Sequence, residues 1–295
     1  MISYNPRSWF KFILTFHKED TFRRLLPMLI AISIYSFVIA CIEFWWWHLT
    51  DLTYVKNLSL LHNLLGFVLS LLLVFRTNSA YDRWWEGSIH WNSLINVSRN
   101  LAMKMNAILP ADDKNNRRFF LQSIPFFAFT LRDHLRISTD FTPMSFNDAH
   151  DEMDVVESSF HKPNKITNLM YGRVFALQRD NKINGEQLLS VYPDIEKFND
   201  ITAACERIKN TPIPSSYSIF VKKFVYIYIM TLPFGFIFSL GFWVIPVVSF
   251  IFYVLASLEM IAEEIEDPFG DDANDIPTNK LAVIIKQQVE EILSK

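Results

Sequence analysis

The sequence predicts an all-α membrane protein with four transmembrane helices and a helical cytosolic domain, and three observations carry that reading. The chain is 51% hydrophobic and 15% aromatic, rich for a soluble protein. Only 7 of its 295 residues are Gly, against a usual share of about 7%, so β-turns and Gly-rich phosphate loops are scarce and helices are favoured. Apolar residues gather toward the two ends and charged ones in the middle, which leaves the mean hydropathy at +0.15.

The first span is Leu25 to Trp47, "LLPMLIAISIYSFVIACIEFWWW", with Glu43 as its only charge and Trp45, Trp46 and Trp47 as an interfacial belt. The second runs from Asn57 to Phe75, carries no formal charge and is bracketed by Lys56 and Arg76. From Phe224 to Leu258 no residue is charged. A single helix of that stretch would measure roughly 52 Å against a hydrocarbon core of about 30 Å. A hairpin of two spans fits better, with its break at Gly241 and Pro246, its arms extended to residues 217–262, and Lys222 and Lys223 snorkelling.

Cationic flanks orient the spans, because cytoplasmic ends are enriched in Lys and Arg. Arg7, Lys11, Lys18, Arg23 and Arg24 precede the first span, whereas the link to the second holds Lys56 alone. The N-terminus is therefore expected inside, and four spans return the C-terminus to the same side. The organisation is an N-terminal cytosolic arm (1–24), two spans (25–76), a cytosolic helical domain (77–216), two spans (217–262), and an acidic segment with a C-terminal helix (263–295). "MISYNPRSWFKF" does not read as a signal peptide. Within the middle, Leu94, Val97, Leu101 and Met105 form one apolar helical stripe, while 138–154 and 210–216 read as loops. A net charge of -3 without a basic cluster argues against nucleic acid as a partner. Cys41 and Cys205 fall in a span and in a soluble helix, so no disulfide is expected.

Two stretches carry chemistry. "EEIEDPFGDDANDIPTN" places seven carboxylates between Glu263 and Asp275. Asp271, Asp272 and Asp275 spell DDxxD, by which isoprenoid synthases hold magnesium and a diphosphate, but that chemistry needs one helix face. Pro268, Gly270 and Pro277 favour a loop, which suits a hard cation such as calcium or a solvated acidic linker. The other stretch is "FRTNSAYDRWWEG", where Arg76 ends an apolar helix at the inner interface beside Tyr81, Trp84 and Trp85. On the second span, Ser59, Asn63, Gly66 and Ser70 make a small or polar stripe suited to helix contact. Leu60, Leu64, Phe67, Leu71 and Phe75 make a parallel stripe that is wholly apolar, facing lipid, a core or a pore. His62 reads as a packing histidine or a proton site.

Together, "LLGFVLSLLLVFRTNSAYDRWWEG", "EDPFGDDANDIPTN" and "ACERIKNTPIPSSYSIF" resemble the bestrophin family, in particular its bacterial and plant branch of anion channels. The resemblance implies a homopentameric ion channel with four membrane helices per subunit, sited in the plasma or inner membrane and passing chloride or other monovalent anions. It implies a hydrophobic neck of three apolar rings on the second membrane helix, at Phe67, Leu71 and Phe75. A cytosolic aperture would fall on Glu186, or on Leu188 or Leu189 with a small gap. Members from animals bind calcium after PFG, at positions matching Asp272 and Asp275, with Glu264 and Asp267 contributing; here Ala273 and Asn274 interrupt the acidic run. No cofactor is required on this reading. A glutamate ring at the aperture would favour cations, so a monovalent cation channel of the same fold stays open. A membrane-bound magnesium enzyme acting on isoprenoid diphosphates is the alternative from another class.

Overall fold

The computed structural model describes residues 21–47, 58–136, 156 and 159–294. Among them every regular element is helical: α1 (Thr21–Ile42) running into a π-helical turn (Glu43–Trp47), α2 (Leu58–Ile108), α3 (Lys114–Leu135), α4 (Lys162–Arg179), α5 (Gly185–Asn210), α6 (Ser215–Leu240), a 3-10 turn (Gly241–Trp243), α7 (Val244–Glu266) and α8 (Thr278–Leu293). The predicted all-α class is thus met. Most of the N-terminal arm, the first interspan link and the 138–154 loop lie outside the described residues, apart from the last arm residues, now in α1. The chain divides into two compact units, residues 1–83 with 212–266 and residues 84–211 with 267–295.

The first unit holds α1, the beginning of α2, α6 and α7. Three stretches, 21–45, 58–108 and 215–266, are long and apolar enough to cross a membrane. The third is two helices rather than one. Gly241 adopts φ 55 at the end of α6, a left-handed conformation open to glycine, and the 3-10 turn then leads into α7. The break falls at Gly241–Trp243; Pro246 sits inside the first turn of α7, where its missing N–H leaves no helical bond unmade. Lys222 near the start of α6 bonds Glu263 near the end of α7 at 2.9 Å, so the two helices run antiparallel. Across helices, Ser33 and Ser249 hydroxyls meet at 2.8 Å and the Tyr35 hydroxyl donates to the Met230 carbonyl at 2.8 Å. Such pairings give polar atoms partners where the surroundings are apolar.

The second unit is built from the rest of α2 with α3, α4, α5 and α8. Leu94, Val97, Leu101 and Met105 are all buried, as their periodicity requires. Phe127 and Phe198 meet edge to face at 4.7 Å in the same core, which also takes in Trp91, Phe119 and Phe120. Helix ends are closed by local chemistry. Asp113 caps α3, His161 caps α4, and Asn184 with Gln187 forms a capping box on α5. The buried Arg117 guanidinium donates to the carbonyls of Leu109 at 3.3 Å and Leu293 at 3.4 Å, placing one cation at the C-terminal ends of α2 and α8.

Candidate functional site

α2 is 51 residues long, about 77 Å at 1.5 Å per residue. It does not end at Arg76. Its chain passes from the first unit into the second between Arg83 and Trp84 without a break in the helix. Through its apolar part the two faces differ. His62, Leu69, Leu73, Arg76 and Ala80 follow each other at spacings of three, four or seven, and each is buried. On the other side Leu60, Leu64, Phe67, Leu71 and Phe75 are 72%, 61%, 65%, 41% and 59% exposed.

Several contacts fix that rotation. A Cβ on Gly66 would come within 2.6 Å of the Tyr228 hydroxyl, so glycine permits the close approach of α6. His62 Nδ1 donates to the Leu58 carbonyl at 2.7 Å, and Nε2 lies within hydrogen-bond distance of the Thr231 hydroxyl at 3.0 Å. This is the packing role, and Gly235 leaves room for the ring. Of the small or polar stripe, Gly66 makes the tight contact whereas Asn63 and Ser70 are exposed. The Tyr217 hydroxyl donates to the Leu72 carbonyl at 3.0 Å.

Arg76 is the strongest of these ties. Its side chain is 1% exposed, far from the interfacial anchor that its place after an apolar run suggests. Nη2 donates to Glu266 Oε2 at 2.6 Å, and Nε lies 3.6 Å from Glu259 Oε1. Glu266 Oε1 accepts from the Ile213 amide at 2.8 Å, and Arg83 Nε donates to the Glu266 carbonyl at 3.0 Å. The residue next to Phe75 is therefore held by two carboxylates of α7. Nothing in local spacing signals Glu259, which arrives only through folding.

The acidic segment is partly consumed by pairing. Glu263 binds Lys222, and Glu264 binds Arg24 at 2.5 Å, which pairs the acidic segment with a basic residue of the N-terminal region. In the second unit Asp271 binds Arg136 at 2.8 Å. Residues 267–277 form turns rather than a helix, so Asp271, Asp272 and Asp275 lack the common helix face that DDxxD chemistry uses. Phe269 is buried against Gly87, where a Cβ would meet its ring at 3.1 Å, and this joins the PFG motif to the glycine of RWWEG. The Asp275 carboxylate turns inward. Oδ2 accepts from the Asp272 amide at 2.6 Å, and Oδ1 is buried with no hydrogen-bond partner among the described residues. Burial pushes its pKa up to about 7, against the Asp272 amide bond, and the charges of Asp272, Asp267 and Asp271 push the same way.

At the start of α5, Glu186 is exposed in the first turn and Leu189 is 73% exposed, three residues on and on the same side. Leu188 is half-buried against the core of the second unit.

A family model described as Bacterial/Fungal Bestrophin protein matches residues 1–291. A voltage-dependent anion channel-forming protein of Nostoc is 32% identical over 274 residues, covering 89% of this chain and 87% of that relative. A like-named protein of Mesorhizobium japonicum is 32% identical over 292 residues, covering 98% and 92%. A crystal structure of a bacterial bestrophin homologue from Klebsiella pneumoniae superposes with a TM-score of 0.83 at 24% identity, covering 92% of this chain and 99% of that one.

Proposed function

The chain belongs to the bestrophin family, and on that premise we propose that it is a homopentameric channel whose subunits line a five-fold passage with α2 and conduct monovalent anions, chloride among them. The family and the names of the relatives indicate a channel and not an enzyme. Each subunit crosses the cell membrane four times, through α1, the first part of α2, α6 and α7, with both termini in the cytoplasm. The observation that carries the reading is the bare stripe from Leu60 to Phe75 on a helix whose opposite face is pinned. Among these residues Phe67, Leu71 and Phe75 stand one turn apart, so five copies would stack apolar rings about 6 Å from one another. An ion passing such rings loses water without gaining ligands. A narrow ring therefore empties and closes, and a slightly wider one conducts.

Replacing Leu71 and Phe75 by Ala tests this directly. Single-channel conductance in planar bilayers should rise; unchanged currents would remove the stripe from the pore.

The neck is uncharged, so the sign of the ion is decided elsewhere. The relatives' names support anions. A cation channel of the same fold is the second reading, favoured by the exposed Glu186 beside Leu189. These two residues are the better aperture candidates, because Leu188 is half-engaged in a core. Reversal potentials in asymmetric salt separate the two readings, and Glu186→Gln should shift the potential only if that residue faces the passage.

The acidic segment fits a small hard cation at one point. The buried, unpartnered Oδ1 of Asp275 would anchor calcium, with Asp272 and Asp267 as further oxygen donors, while Glu264 is already paired with Arg24. Bound there, calcium would neutralise the like charges crowding this turn.

A further inference from the structure

Away from the stripe and the acidic segment, three side chains from separate elements of the second unit converge. His134 lies in the last turn of α3, His161 caps α4, and Glu206 belongs to α5. Their Nε2 atoms approach the same oxygen, Glu206 Oε1, at 2.6 Å and 2.7 Å, and the two imidazole rings are 4.6 Å apart. All the ligand atoms lie within 4.8 Å of one another. The side chains are 31%, 27% and 28% exposed. A cleft of about 430 Å³ lined by Asn164, Asn168, Tyr171 and Asn199 opens onto Glu206.

We propose that His134, His161 and Glu206 form a binding site for a divalent transition-metal ion of the zinc type. Two imidazole nitrogens and one carboxylate oxygen are the donor set of three-ligand zinc sites, with a fourth position left for water. A tetrahedral ion at roughly 2.0–2.1 Å from each donor separates the donors by about 3.3 Å. The present nitrogen–oxygen separations need to open by less than 1 Å, a movement that partly exposed side chains near helix ends allow. The cleft supplies the entry path and the open position.

The site also carries a built-in cost. His161 Nδ1 accepts the Asn164 amide at 3.2 Å, so its hydrogen resides on Nε2 and is donated to Glu206. Metal on Nε2 moves that hydrogen to Nδ1 and ends the cap. Affinity is therefore expected in the micromolar range, below that of closed structural zinc sites. Occupancy ties the end of α3, the start of α4 and α5 through one ion.

The test uses untagged full-length protein in detergent, dialysed against buffered zinc, with bound metal measured directly and cobalt(II) absorption reporting coordination geometry. The expected result is one ion per chain, tetrahedral cobalt bands, and at least about tenfold weaker binding in Glu206→Gln and in His134→Ala. Glu206→Gln keeps the side-chain shape, and a circular-dichroism melt confirms its fold. Zinc binding that is absent, as tight in both variants as in wild type, or displaced by equimolar calcium would overturn the assignment. Because the readout is metal content, its failure leaves the channel reading standing, and a failure of the channel reading leaves the metal site standing.

Discussion

The two units solve the same packing problem in opposite ways. In the second, large aromatics such as Trp91, Phe119, Phe127 and Phe198 are fully buried. In the first, Ile30, Phe37, Leu60, Phe67, Tyr226 and Phe250 are each more than half exposed. Water would expel such a surface. A surface of this kind is stable where hydrocarbon or another subunit covers it, so stability in the first unit has to come from specific ties rather than from wholesale burial. Arg76 with Glu259 and Glu266, Ser33 with Ser249, and His62 with Thr231 are those ties.

The sharpest way to break the comparison is Arg76→Ala. The substitution leaves two largely buried carboxylates without the cation they share, a loss of about 3–5 kcal/mol. Thermal unfolding of the detergent-solubilised protein should show it, together with altered conductance because Phe75 loses its adjacent anchor. A variant as stable as wild type would mean that burial alone holds α2.

Matched truncations come next. Phe127→Ala empties a fully enclosed position and should cost about 3–5 kcal/mol. Phe67→Ala removes the same atoms from a side chain 65% exposed and should change stability by only about 0.5 kcal/mol, while altering single-channel conductance. Equal losses at the two positions would erase the distinction between core and stripe.

This contrast was only half legible in the chain. Period and composition reveal the helices, the hairpin break at Gly241 and the core stripe through Leu94 and Met105, because those features depend on neighbours three to seven residues away. The uninterrupted run of α2 past Arg76 was hidden, since the arrival of charge looks like the end of a span. Glu259 and Glu266, far along the chain, make Arg76 a buried residue, and no local pattern encodes them. The same holds for His134, His161 and Glu206, which share no motif spacing, and for Phe269 against Gly87. Phe67, Leu71 and Phe75 could be chosen as a stripe from spacing, but their exposure follows from which face Glu259 and Glu266 capture.

A pH-dependent effect concerns Asp275, a carboxylate that the second unit buries without full compensation. Asp275 has a folded pKa raised from 3.8 to about 7, first by burial and then by Asp272, Asp267 and Asp271. Between those values the unfolded chain releases a proton that the folded chain keeps, so stability is greatest in acid and falls as pH rises toward 7, flattening above it. The full span corresponds to at most about 4 kcal/mol, less where the turn meets solvent. Asp275→Asn keeps an acceptor for the Asp272 amide and abolishes the charge, so the difference between wild-type and variant melting curves should grow from pH 4 to 7 and then stay constant. Calcium sharpens the result: millimolar additions above pH 7 should restore wild-type stability and leave Asp275→Asn unmoved if Asp275 anchors the ion. A difference that shrinks with rising pH would show that the inward carboxylate is stabilised as an anion, and the contrast between an uncompensated charge here and the paired charges around Arg76 would fail.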